Sequence, residues 1–208
     1  MNYFLYQDDI PSNIEFGDII AIDTETMGLN LQRDRLCLIQ LSNGDGNAHL
    51  VQISKESLES KKSFVNLKKI FKNPKSTKLF HFARFDIAVI EKHVCQLNGP
   101  IYCTKIASKL ARTYTDRHGL RELCKELLNV EISKQQQSSY WGNKTLSKNQ
   151  IKYAANDVSY LHQIKNELDI ILEREKRAHL LAPILKFLPT RVKMDLEGWE
   201  DMDIFSHS

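Results

Sequence analysis

Ile19-Ile20-Ala21-Ile22-Asp23-Thr24-Glu25 decides how the chain is read, because an unbroken apolar run ends in two acids separated by one residue. Side chains alternate along an extended backbone, so Asp23 and Glu25 share one side of the strand and Thr24 takes the other. Four consecutive apolar residues fit a central strand covered on both faces. An acid is tolerated there only at the strand's end or beside a cation. On its own the pair reads either as the opening of a solvated loop or as half of a metal site.

Outward from this strand, Met27-Gly28-Leu29-Asn30 reads as a turn, Arg35 to Ser42 as a second strand, Gly44-Asp45-Gly46-Asn47 as a turn and Ala48 to Val51 as a third strand. Strand, turn, strand predicts an antiparallel hairpin beside the first strand. Leu58, Val65, Ile70 and Phe71 trace a helical stripe through a lysine-rich segment that ends near Asn73-Pro74. Lys78 to Phe82 supplies a fourth strand, which runs into a helix over Ala83 to Ile90 with Asp86 in or near its first turn. An acid there either complements the helix dipole or joins a site. Pro100 to Cys103 reads as a short fifth strand, followed by helical spacing in Ile106, Ala107, Leu110 and Ala111 and again in Leu120, Leu123, Cys124, Leu127 and Leu128.

Ser147-Lys148-Asn149-Gln150 has the form of a capping box, which starts a helix. Its buried stripe runs through Ile151, Ala154, Ala155, Val158, Leu161, Leu168 and Ile171, with Tyr153 and Asp157 four residues apart on a neighbouring face. The expected architecture is α/β, a mixed five-stranded sheet flanked by helices on both faces. Residues 1–208 are expected to form one domain, with a C-terminal helical extension and tail from about residue 173.

Composition narrows the class. With 208 residues, 42% apolar and 26% charged, the chain has the profile of an ordinary globular domain, and no apolar run approaches the roughly 20 residues of a membrane span. The N-terminus has neither the basic start nor the apolar stretch of a signal peptide, so a cytoplasmic protein without membrane association is expected. Cys37, Cys95, Cys103 and Cys124 form no Cys-x-x-Cys pair, which argues against a zinc site or a disulfide framework. A net charge of +3 and a pI near 8.6 lean mildly towards an anionic partner. Lysines 61, 62, 68, 69, 72, 75 and 78 cluster around one expected helix, and Arg112, Arg117, Arg121 and Lys125 around another.

Asp23, Glu25, Asp86 and Asp157 make an all-oxygen donor set suited to magnesium or manganese. Two such ions about 3.5 to 4 Å apart activate a water and stabilise the leaving oxygen of a phosphodiester. Tyr153, one helical turn before Asp157, is placed to orient that water or help deprotonate it.

These residues resemble the DEDDy subgroup of DnaQ-like 3'-5' exonucleases, and within it the ribonuclease D family. Ile22-Asp23-Thr24-Glu25-Thr26-Met27-Gly28-Leu29 is similar to the first exonuclease motif, and Leu36 to Leu41 to the strand that follows it. His81-Phe82-Ala83-Arg84-Phe85-Asp86 is similar to the second motif and Tyr153-Ala154-Ala155-Asn156-Asp157-Val158 to the third. Gln137-Ser138-Ser139 with Trp141 also resembles ribonuclease D, although Tyr140 stands where those proteins usually have Asp. The stretch from Phe187-Leu188-Pro189 onward is similar to small stand-alone bacterial forms, and the helical nucleic-acid-binding repeats of full-length ribonuclease D have no counterpart here.

The resemblance implies a ribonuclease-H-like fold, two divalent cations (Mg2+ or Mn2+) and stepwise release of nucleoside 5'-monophosphates from the 3' end of single-stranded nucleic acid, RNA favoured. It implies that Asp23, Glu25, Asp86 and Asp157 hold the metals and that Tyr153 positions the water. Thr26, Leu29, His81 and Phe85 would line the cleft beside the terminal nucleotide, although core packing is an equal reading for Leu29 and Phe85. The competing reading is a non-catalytic nucleic-acid-binding module that keeps the fold; protein partners are not legible.

Overall fold

The computed structural model describes residues 2–60, 64–133, 135–136 and 138–207. In chain order the elements are β1 (Asn2–Gln7), β2 (Ile19–Thr26), β3 (Leu36–Ser42), β4 (Asn47–Gln52), α1 (Lys55–Glu59), α2 (Val65–Phe71), β5 (Thr77–Phe80), α3 (Ala83–His93), β6 (Ile101–Cys103), α4 (Thr104–Ala111), α5 (Leu120–Leu128), α6 (Lys148–Ser159), α7 (Leu161–Arg174) and α8 (Ala178–Met194). A π-helical turn, Asp195–Trp199, follows.

The apolar run before Asp23 becomes an inner strand. The sheet order is β1-β4-β3-β2-β5-β6, with β2 antiparallel to β3 and parallel to β5. The expected hairpin is present, since β3 also runs antiparallel to β4. Every residue of β3 is buried, as a strand covered on both faces requires. One face carries Ala21, Leu38, Leu50 and Leu79 against Ala154, Ala155 and Val158 of α6 and Ile164 and Leu168 of α7. The other carries Ile20, Ile22, Ile39 and Leu41 against Leu67 and Phe71 of α2, Ile87 and Ile90 of α3, and Leu188 and Val192 of α8.

The sheet has six strands, not five. The additional one is β1, paired in parallel with β4 from Asn2↔Asn47 to Gln7↔Gln52. It is an edge strand exposed on both faces, so it lacks the half-buried alternation that reveals a strand in sequence. The lysine-rich stripe divides into α1 and α2. Lys61 and Lys62 of that cluster, and Gln137 of the ribonuclease-D-like stretch, lie outside the described residues. Lys78 is buried inside β5, its Nζ held by the carbonyls of Asn73, Ser76 (2.9 Å) and Asn98 (2.6 Å), and is no surface cation.

The capping box forms as expected, with Gln150 N–H donating to Ser147 Oγ and Ser147 N–H to Gln150 Oε1. The stripe beyond it is interrupted at Tyr160, which caps α6 and opens α7. Helix α8 runs through Pro183 and Pro189, each of which removes a backbone donor at a cost of about 3 kcal/mol in a helix interior. Packing of Leu188 and Val192 into the core offsets that cost. The four cysteines are free, three of them buried, as small core residues. Among the described residues no helix is long and apolar enough to cross a membrane.

Candidate active site

The two-residue period of β2 divides its motif between the faces of the sheet. Asp23 and Glu25 follow Ala21 towards α6, and Thr24 follows Ile20 and Ile22 towards α3. Helix α6 brings Asp157 to the first face, where donor oxygens of Asp23, Glu25 and Asp157 all lie within 4.8 Å of one another. Asp86 arrives from the other face, on the first turn of α3. It is 4% exposed, and its Oδ1 accepts the Thr24 N–H at 3.0 Å and the Thr24 hydroxyl at 2.7 Å. A register shift between Glu25 and Thr26 marks a bulge, which bends β2 where it delivers its second acid.

Crowding four acids is electrostatically costly. Burial pushes the Asp23 carboxyl up to about 7. Burial, then the charges of Asp23, Asp157 and Asp86, hold Glu25 well above the usual range. Asp86 and Asp157 are raised likewise, by burial first and Asp23 second. A hard divalent cation removes this penalty, and oxygen-only donors fit it. Gln40, opposite Asp23 in the β2/β3 ladder, donates from Nε2 to Asp23 Oδ2 at 3.3 Å and fixes that carboxylate from behind. The Tyr153 phenol reaches Asp157, and burial followed by the Asp157, Glu25 and Asp23 charges lifts it far above its usual range. Tyr153 therefore stays protonated, with a hydroxyl able to donate a hydrogen bond.

All nine candidate residues line one cleft of about 580 Å³. Leu29 is 83% exposed, so it is not a core residue. Phe85 packs on the edge of the α3-side core and also lines the cleft. Thr26 donates from its hydroxyl to the Gly28 carbonyl, which folds the turn that presents Leu29. His81 shares a 2.8 Å hydrogen bond between Nδ1 and Thr104 Oγ1, and the Thr104 hydroxyl donates to the Phe80 carbonyl at 3.2 Å. With the Thr104 proton so committed, the His81 proton belongs on Nδ1. Burial, then Lys105, pull this imidazole down to about 3, so it is neutral.

The cleft also contains residues whose place was not legible: Lys105, whose Nζ sits 4.2 Å from the Phe82 ring centre, as well as Arg121 and Trp141. Arg121 belongs to the arginine-rich stretch noticed in the sequence. Arg112 of the same stretch is buried instead, ion-paired with Glu126 and bonded to the Arg117 carbonyl at 2.7 Å. Tyr140, 57% exposed, faces a larger neighbouring cavity of about 1000 Å³ that shares Met27 and Trp141 with the cleft and contains none of the four acids. Among the described residues the group of three acids with converging oxygens lies in the smaller space, which makes that space the candidate site.

Known proteins are similar to this chain in sequence and fold. Brucella melitensis NrnC bound to pGG is 49% identical and covers 100% of both chains with a TM-score of 0.92. The same protein with bound Mg2+ is 48% identical at a TM-score of 0.90, again over 100% of both chains. Ribonuclease D of Acidiphilium cryptum is 31% identical over 163 residues, 78% of this chain and 40% of that protein, so the chain spans less than half of that relative. The sheet and its flanking helices are those of the ribonuclease-H-like exonucleases. The acidic cluster here and the Mg2+ held by NrnC both support a divalent-metal site. The 3'-5' exonuclease family profile matches residues 8–173, and the chain belongs to that family.

Proposed function

We propose that this exonuclease hydrolyses single-stranded nucleic acid, RNA in preference to DNA, from its 3' end, releasing nucleoside 5'-monophosphates with the help of two divalent cations, Mg2+ or Mn2+. The observation that carries the reading is the convergence of Asp23, Glu25 and Asp157 from β2 and α6, with Tyr153 beside them and Asp86 entering from α3. The cations would supply a nucleophile activated at neutral pH and a Lewis acid for the phosphoryl oxygens.

The protein's own part is placement. Asp23, Glu25 and Asp157 would hold one cation and Asp86 would help hold the second, with Gln40 and Thr24 fixing two of the carboxylates. Tyr153 orients the attacking water through its hydroxyl. Lys105 and Arg121 meet the phosphates, while Leu29 and Phe85 offer apolar surface to the terminal bases. Neutral His81 presents an acceptor to a sugar hydroxyl. NrnC with pGG supports a short 5'-phosphorylated strand as an occupant of the cleft. A preference for RNA rests on the ribonuclease D relatives. A non-catalytic binding module has no use for four crowded carboxylates, and the complete donor set speaks against it.

The test is digestion of matched RNA and DNA oligonucleotides labelled at the 5' end, at fixed salt. A descending ladder, 5'-mononucleotide product, loss of activity with chelator and faster cutting of RNA are expected. Internal fragments appearing first would replace the exonuclease direction with endonuclease action, and preference for DNA would overturn the substrate choice.

A further inference from the structure

The turn after α8 is bonded to two walls of the cleft, the first turn of α3 and the loop that presents Leu29. Asp195, which opens this turn, is 2% exposed, and a buried carboxylate needs committed partners. Arg84 supplies two parallel bonds, Nε to Oδ2 at 2.6 Å and an Nη to Oδ1 at 2.8 Å. Arg191, one turn earlier on α8, adds a contact of 3.1 Å to Oδ1. The same two arginines bind backbone carbonyls of the turn: Arg84 bonds Glu200 at 2.6 Å, and Arg191 bonds Trp199 and Glu200 at 2.9 Å and Met202 at 2.7 Å. Planar guanidinium forks of this kind fix orientation as well as distance.

Arg84 immediately precedes Phe85 in the first turn of α3, so the turn after α8 is bonded directly to the wall that carries Phe85. The next residue of that turn, Leu196, offers its carbonyl to Gln32 Nε2 at 3.1 Å. Gln32 lies in the loop that presents Leu29, and Lys92 of α3 bonds the Leu31 and Gln32 carbonyls of the same loop, the latter at 2.9 Å. Leu31 and Leu196 both pack on the α3-side core.

We propose that Asp195 is a positioning residue of the exonuclease: through Arg84 and the adjoining Leu196–Gln32 bond it sets the spacing between Phe85 and the Leu29 loop. The proposal rests on the cleft being the nuclease site. Asp86 has its own tether in Thr24, so loss of the turn displaces the apolar walls more than the acids. The consequence is a defect in substrate binding and not in the chemical step.

Asp195→Asn keeps the shape and removes the charge, Arg84→Lys keeps the charge and removes the fork, and Gln32→Ala removes one exposed link. For a short 5'-labelled RNA in Mg2+, KM is expected to rise about 10-fold in Asp195→Asn with kcat within about 3-fold, displacement of contacting groups by a fraction of an ångström being enough for this. Arg84→Lys falls between that variant and wild type, and Gln32→Ala raises KM about 3-fold without a change in Tm. Amide hydrogen exchange at residues 27–34 gives a readout independent of catalysis and quickens in all three variants. Unchanged KM together with unchanged exchange in 27–34 overturns the proposal, including the case where only Tm falls. A wild-type protein that cuts no strand overturns the nuclease reading, and exchange alone then decides the role of the turn.

Discussion

The two faces of β2 solve the same problem differently. On the α6 side, Asp23, Glu25 and Asp157 point at one another with Gln40 and Tyr153 as neutral neighbours, so the charge is left for something outside the protein to balance. On the α3 side Asp86 is satisfied by Thr24, and the adjoining Arg84 is satisfied by Asp195. The α6 face leaves its acids without a counter-charge inside the protein; the α3 face is closed by hydrogen bonds within the protein, although Asp86 is still raised by burial and by the Asp23 charge. A strand with period two can support both because consecutive residues never share a face.

The largest effect should come from the α6 face. Asp23→Ala or Asp157→Ala removes a donor from the shared centre and should lower kcat by more than about 10³-fold, since both water activation and charge stabilisation depend on it. Tyr153→Phe removes only a hydroxyl and should cost about 10²-fold, with Mn2+ binding retained. Single-turnover cleavage and calorimetric Mn2+ titration separate the two. Normal turnover by a folded Asp23→Ala variant, or wild-type cleavage by Tyr153→Phe, would break the contrast between metal donor and water orienter.

The four acids of both faces together should control stability against pH. Their carboxyls have folded-state pKa values above their unfolded ones, with Asp23 pushed to about 7 by burial and Glu25, Asp86 and Asp157 raised by burial and mutual repulsion. Groups raised in the folded state contribute stability that is fully present below about pH 4, where unfolded carboxyls titrate, and lost as pH rises through the folded values. The chelated protein should therefore lose about 5 °C in Tm between pH 5 and pH 8. Saturating Mn2+ should restore it at the higher pH by binding only the folded state. Asp23→Asn should flatten the chelated curve. A Tm that instead rises from pH 5 to pH 8 in chelator would show that the acids are not held in mutual repulsion.

The part of this arrangement that was legible in sequence is the part written in local periodicity. Asp23 and Glu25 end an apolar run, Asp86 opens a helix after a strand, and Tyr153 and Asp157 stand one turn apart behind a capping box. What escaped depends on docking between distant segments. β1 has no buried face to show a period, and its partner β4 begins at Asn47. Lys105 and Arg121 are common residue types that become part of the cleft only when α4 and α5 are packed around it, and Gln40 reaches Asp23 only once β3 pairs with β2. Arg112 looked like its neighbours in the sequence and is buried, because only the fold brings Glu126 and the Arg117 carbonyl to it. The division of the motif by Thr24 was legible as a direction, while its partner across the sheet was not.

Thr24 gives the smallest and most specific test of the closed face. Thr24→Val preserves size and branching, so β2 keeps its strand preference, and the backbone N–H still reaches Asp86 Oδ1. What disappears is the hydroxyl donor at 2.7 Å, one of two bonds that fix this carboxylate. A hydrogen bond to a buried acid is worth about 1–2 kcal/mol, which corresponds to about a 10-fold change in an equilibrium or rate. Because Asp86 would help hold a cation without being part of the tight triad, kcat should fall about 10-fold at limiting Mn2+ and recover towards wild type at saturating Mn2+. The Asp23→Ala defect should not recover in this way, since no concentration of metal replaces a missing donor of the triad. Recovery in both variants, or in neither, would erase the distinction between the two faces of β2.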